Sequence, residues 1–235
     1  MHLEKTQIKN IWLLFILLLG LCASAQQSDW VLFDSTAGIK SYRQPALNGQ
    51  PDTYKAETVL NCRLDVIAVI LKDFENYPAW MPNCIKLEYI KSIDDNNLIL
   101  YYQHHTPWPV HDRDAILHVV TNLDTNRQAL YITSQSTNDN PFPLSDNLVH
   151  MKKMVAHWQI RYIDESHSDI AYQVISDPGG LIPTSQVNYF SRYLPYKTLL
   201  GLKRMCEMPE YIEMAKKSKE KSIVDTFSSE LNQRK

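Results

Sequence analysis

Between Ile85 and Asp177 the chain repeats one local pattern: a short apolar-rich run, then a polar turn. The runs are 85–93, 97–105, 112–123, 127–136, 153–164 and 168–177, and each reads as a strand. The turns are Asp94-Asp95-Asn96-Asn97, Asp124-Thr125-Asn126 and Asp164-Glu165-Ser166-His167. Connections this short join antiparallel neighbours, because a parallel pair needs a crossover of a dozen or more residues. The stretch 137–146 is polar, holds two prolines and reads as a loop. Six successive antiparallel strands make a long, twisted sheet, and one of its faces must be covered by something else.

The flanking sequence offers little to do the covering. Trp30 to Arg43 reads as two short strands turning at Ala37-Gly38, and Tyr54 to Leu60 as a third. From Leu64 the period changes: Leu64, Ile67, Ala68 and Leu71 share one helical face. Tyr77-Pro78-Ala79-Trp80-Met81-Pro82 is compact enough for a second, short helix. Only the stretch beyond Asp177-Pro178-Gly179-Gly180 is long enough to span a sheet. There Thr184 or Ser185 serves as the cap, and Val187, Phe190 and Leu194 keep helical spacing. Pro195 restarts or kinks the helix, and Leu199, Leu202, Met205, Pro209 and Ile212 extend the stripe. The fold class is therefore α+β, a curved antiparallel sheet wrapped around a long C-terminal helix with an apolar cavity between them. After Lys216 the chain becomes a charged, fraying tail, 216–235.

The first 25 residues read as a targeting segment rather than part of the fold. Lys5 and Lys9 precede an apolar run, Ile11 to Leu21, and Ala23-Ser24-Ala25 is a small-x-small cleavage pattern. About eleven apolar residues are too few to cross roughly 30 Å of hydrocarbon. Lipidation at Cys22 would ask for a small residue where Leu21 stands. The expectation is a signal peptide, 1–25, cleaved after Ala25, and a protein that is periplasmic or secreted. The domain then occupies 26–215.

Formal net charge is −2, without the basic surplus that nucleic acid would ask for. Cys62, Cys84 and Cys206 remain after cleavage. An odd number without a C-x-x-C pair suits small buried hydrophobes better than a zinc site or a disulfide framework. No G-x-S-x-G elbow or glycine-rich phosphate loop occurs. No cofactor, metal or catalytic residue is expected.

The middle of the chain carries the most distinctive stretch, Thr106-Pro107-Trp108-Pro109-Val110-His111-Asp112-Arg113-Asp114. Two prolines stiffen an apolar corner, and one arginine between two aspartates opens the next strand. With this stretch, the chain resembles the START lipid-transfer domain family, named after steroidogenic acute regulatory protein, within the helix-grip superfamily. The marks are Trp30, Gly38-Ile39, Tyr42, Tyr77 with Trp80, Pro107-Trp108-Pro109, Asp112-Arg113-Asp114, Trp158, Asp177-Pro178-Gly179-Gly180, Ile182-Pro183 and Asn188, in that order over about residues 28–215. The resemblance implies a monomer with a tunnel for a single hydrophobic, lipid-like molecule, and transient contact with a membrane. A cyclase- or hydrolase-like enzyme on the same scaffold is the alternative. Several animal members carry an arginine farther along the strand that the Arg-Asp pair opens. Here that strand runs Ile116-Leu117-His118-Val119-Val120, so their polar contact is not copied over.

Cavity candidates follow. Trp108 and Arg113 come from the corner. The Arg113 guanidinium suits a carboxylate or phosphate head group, or else it pins the corner of the sheet. His118, His157 and Arg161 are candidates for a polar ligand contact. His157 and Arg161 share a strand with Ala156, Trp158, Ile160 and Tyr162, which take its other face. Val187, Phe190 and Leu194 are the helix residues expected to close the cavity. The last helix, with Pro183 and Pro195 as hinge points, and the loop 137–146 are the expected gate.

Overall fold

A computed structural model describes residues 29–137 and 148–233. The signal-peptide expectation and positions 138–146 of the expected gate loop lie outside the described residues.

Among the described residues ten strands form one open sheet in the order β1-β2-β3-β10-β9-β7-β6-β5-β4, with β8 beside β6. They are β1 Val31–Thr36, β2 Ile39–Gln44, β3 Thr53–Leu60, β4 Cys84–Asp94, β5 Asn97–His104, β6 Arg113–Asp124, β7 Ala129–Thr137, β8 Val149–His150, β9 Lys153–Tyr162 and β10 Ser168–Asp177. All pairs along the path are antiparallel, and only the two-residue β8 runs parallel to its partner. The strand runs read from the sequence fall on β4, β5, β6, β7, β9 and β10 to within a few residues at each end. The sheet is curved and unclosed, and a long C-terminal helix lies in its grip.

Helix α1, Leu64–Lys72, is buried from Leu64 to Leu71 because the sheet takes one side and later helices take the other. A short 3-10 turn, Phe74–Asn76, leads into α2, Tyr77–Trp80. The C-terminal part is broken. Helix α3, Thr184–Ser191, ends before Arg192, and α4, Leu194–Cys206, restarts with Pro195 in its first turn. A proline in the first turn costs no hydrogen bond, since that N–H would be unpaired anyway. The Thr184 hydroxyl caps no N–H of its own helix; it donates to the carbonyl of Gly49 at 2.9 Å.

Helix α4 grips the sheet with Leu199 and Leu202, both fully buried. It crosses α2 so closely that a Cβ on Gly201 would collide with the carbonyl oxygen of Trp80 and lie 3.0 Å from its carbonyl carbon. Helix α3 is tied to the β2–β3 connection through Asp52. That buried carboxylate accepts from Arg43 Nε at 2.6 Å, Asn188 Nδ2 at 3.0 Å and the Ala46 amide at 2.9 Å, while the Asp52 amide donates to Asn188 Oδ1.

The tail differs from its sequence reading. Helix α5, Pro209–Ala215, is followed by α6, Glu220–Gln233, over the stretch expected to fray. Val224 and Phe227 are buried, and the Phe227 ring meets Tyr162 at 5.8 Å. The helix docks on α1, with Lys72 paired to Glu220, and Gln128 donates to Glu230. With Ile223 and Leu231 packed beside them, Val224 and Phe227 complete one apolar helical face. The stripe on α5 also turns: Tyr211 is buried, whereas Ile212 is 40% exposed.

Cys62, Cys84 and Cys206 are free and buried, in the role of small hydrophobes. Burial pushes the Cys84 thiol up to about 12.

Candidate functional site

The concave face of the sheet and helices α3 and α4 enclose two adjoining spaces. The outer chamber, about 260 Å³, lies beneath α3 and the start of α4 and reaches the surface beside the β5–β6 loop. The inner chamber, about 50 Å³, lies deeper, between the sheet and α1–α2. Four side chains line both: Met81, Tyr102, Met154 and Tyr172.

Strand alternation decides which residues arrive here. On β9, Met154, Ala156 and Trp158 point inward; on β10, Tyr172, Val174 and Ser176 do so; on β5, Leu100, Tyr102 and His104 do so. Trp158 is 5% exposed and packs on Tyr172, ring centroids 4.2 Å apart. The inner chamber carries Leu71, Leu87, Leu117, Val119 and Ile132 on its walls, with Ser134 and the tyrosine hydroxyls as its polar groups.

The outer chamber is more polar. His104, Ser176, Ser191 and Thr198 line it, and the exposed Lys197 stands among its lining. The Tyr102 hydroxyl lies 2.9 Å from His104 Nδ1. Burial holds the Tyr102 phenol far above its ordinary value, so it remains protonated and able to donate. Burial, helped by neighbouring His105, pushes His104 down to about 4. At neutral pH the ring is therefore uncharged, with one nitrogen donating and the other accepting. Among the described residues no group of three or more His, Cys, Asp or Glu could hold a metal ion.

Val187, Phe190 and Leu194, expected from the helix periodicity, do line the outer chamber, with Phe190 half in solvent. The other candidates lie elsewhere. His157 and Arg161 alternate with the inward Trp158 and so fall on the convex face. There His157 meets Thr133 Oγ1 at 3.1 Å and Arg161 pairs with Asp169 at 2.7 Å. The same parity turns His118 outward from Leu117 and Val119, toward Asn97. Trp108 is 92% exposed at the tip of the β5–β6 loop, since the two prolines hold it away from the sheet.

Arg113 is 2% exposed but lines neither chamber. Its guanidinium donates to the carbonyls of His111 and Pro178, bridging the β5–β6 loop to the loop after β10. Its flanking aspartates turn to other partners. Asp112 accepts from the Thr106 amide at 2.8 Å and meets His105; Asp114 meets His150 at 3.1 Å. Gly179 and Gly180 lie in the left-handed region, at φ 68° and 74°, which lets the second loop turn tightly against this bridge.

Met81, Met154, Tyr102, Tyr172 and His104 were absent from the sequence candidates. Counting back by twos from Trp158 to Met154, or along β5 from Leu100 to His104, would have found three of them.

A family model for the START domain matches residues 18–207, most of the chain. The chain belongs to the START domain family. Its relatives include an uncharacterized protein of Pseudomonas aeruginosa, 24% identical over 188 residues that cover 80% of this chain and 92% of the relative. The mouse phosphatidylcholine transfer protein is 25% identical over 182 residues, covering 73% and 83%. Among solved structures, a STAR-related lipid transfer protein fragment from Xanthomonas axonopodis superposes with a TM-score of 0.69 at 25% identity, covering 76% of this chain and 99% of the fragment. Human STARD10 shares the fold, with a TM-score of 0.71 at 22% identity over 85% of this START chain and 81% of its own. Helices α5 and α6 of the START chain lie beyond the stretch that the family model matches.

Proposed function

We propose that this START domain protein binds one hydrophobic, lipid-like molecule in the two-chamber cavity and exchanges it with a membrane at the cavity mouth. The observation that carries the reading is the grading of the cavity, apolar in its depth and hydrogen-bonding near the surface, which suits an amphiphile lying head outward. Around the mouth, Trp108 and Leu181 stand free in solvent, and Tyr189, Phe190 and Tyr193 are exposed on α3 and just after it. Clustered exposed apolar side chains mark an interaction surface, and Trp and Tyr suit the boundary between water and lipid. The phosphatidylcholine transfer relatives add support for a lipid ligand.

The protein acts as a monomeric carrier, without a cofactor, outside the cytoplasm after removal of residues 1–25. N-terminal sequencing of material from the native host should begin at Gln26; an intact Met1 would refute export with cleavage. The binding reading is tested by native mass spectrometry of the purified protein mixed with a lipid extract. A stoichiometric hydrophobic ligand is expected. If the protein retains none and extracts none from vesicles, the reading fails, and turnover assays for a cyclase- or hydrolase-like activity become the next step.

A further inference from the structure

The lipid-binding reading says nothing about which lipid, and the division of the cavity does. We propose that Met81, Met154, Tyr102 and Tyr172 form a waist that passes a single hydrocarbon chain and sets its length, so that the ligand is a single-chain amphiphile such as a medium-chain fatty acid of about ten carbons or its monoester rather than a two-chain glycerolipid. The proposal rests on the cavity being the lipid site.

Volume is the first argument. A dry cavity of about 150 Å³ takes up one benzene. On that scale the outer chamber, about 260 Å³, accommodates roughly ten non-hydrogen atoms and the inner one, about 50 Å³, roughly two. The two together lie at the low end of the roughly 300–1,000 Å³ of small-molecule sites. A glycerolipid with two long chains carries several times as many atoms.

The second argument is which walls yield. Tyr102 is held by its contact with His104 Nδ1 at 2.9 Å, and Tyr172 by its packing on Trp158 at 4.2 Å. Met81 and Met154 have no such restraint beyond packing. An unbranched thioether with three rotatable bonds re-packs at little cost. A chain end can therefore push the methionines aside and join the two spaces into one channel between fixed tyrosines. The polar end stays in the outer chamber with His104, Ser176, Ser191 and Thr198. Among the described residues no charged side chain lines the inner one.

The inner chamber also contains a reporter, since Trp158 lines it. Decanoic acid brominated at its last carbon should quench tryptophan emission more strongly than the isomer brominated beside the carboxyl group, because only the first places bromine against Trp158. Wild-type protein should bind decanoic acid at least roughly tenfold more tightly than dioleoylphosphatidylcholine. The double substitution Met81→Ala and Met154→Ala should narrow that gap, whereas Met→Leu at both positions should keep it. If the double alanine variant does not fold, the wild-type quenching and competition still decide. Equal quenching by the two isomers, or phosphatidylcholine bound as tightly as the fatty acid, overturns the waist and leaves lipid binding standing. Binding of neither ligand overturns both.

Discussion

Gly201→Ala is expected to destabilise the fold although it improves the helix in isolation. In a helix interior, alanine is favoured over glycine by about 1 kcal/mol. The surroundings oppose this gain. A Cβ at 201 would overlap the carbonyl oxygen of Trp80 and lie 3.0 Å from its carbonyl carbon, whereas carbon atoms in contact sit about 3.5–4.0 Å apart. The obstacle is backbone, so no rotamer relieves it, and α4 must move away from α2. Overpacking costs about 1–3 kcal/mol and at times more. With rigid atoms on one side the upper end applies, and the net loss after the helical gain is about 2 kcal/mol. For a chain of this size, about 2–4 °C per kcal/mol converts that loss into a fall in melting temperature of roughly 4–8 °C. Urea unfolding should show a lower midpoint with an unchanged slope. Since Met81 follows Trp80 directly, the same displacement should also loosen the waist and weaken the preference for one chain over two. An alanine variant as stable as the parent, or more so, would refute the close crossing of α2 and α4.

Phe227→Ala should cost about 3–5 kcal/mol, the usual figure for a core phenylalanine, and thermal melts would show it; no change would mean that α6 does not dock on α1. Asp52→Ala removes a charge-assisted contact to Arg43 together with the bonds to Asn188 and Ala46. A loss of about 1.5–3 kcal/mol is expected, with faster amide exchange confined to α3 if the tie is local. His104 should make the fold acid-sensitive. Its native pKa, about 4, lies below the unfolded value of about 6.5, so the unfolded chain binds more protons between these values. Stability should decline as pH falls from about 6.5 and level off near 4; His104→Gln should flatten that slope in pH-dependent unfolding. Trp108→Ala combined with Leu181→Ala should leave the melting temperature within the small range of surface substitutions while lowering ligand transfer to vesicles in a fluorescence assay.

Strand identity was legible because alternation is local. On β9 the inward set Ala156, Trp158, Ile160 and Tyr162 could be read directly, and it is the buried set. The same alternation, applied consistently along β9, would have excluded His157 and Arg161 from the cavity. These were proposed for their chemistry and not their parity. The β6 run concealed its inner face, since every residue from Arg113 to Leu117 is buried and a continuous apolar run shows no period. Helix α6 left a trace in the sequence, since Ile223, Val224, Phe227 and Leu231 keep helical spacing, but the charged run 216–221 before it reads as a tail. Gly201 gave no local sign, since its reason lies on another helix more than a hundred residues away. The waist brings together Met81, just after α2, with residues of β5, β9 and β10, a meeting that only the fold brings about.

The pairing of β3 with β10 has a consequence for the order in which the molecule can assemble. Tyr54 meets Val174 and Leu60 meets Ser168, so the three N-terminal strands attach to the sheet only through its last strand. The meander from β4 to β7 can form from near neighbours, but β1 to β3 must wait, unpaired with it, until Asp177 is available. Loop closure over so long a separation places the chain in the slow, nonlocal regime of β folding. During that interval the unpartnered edge of β3, with Tyr54, Ala56 and Leu60 on its core face, is open to other chains. A chain arranged in this way is open to strand exchange with a second copy until its last strand is in place.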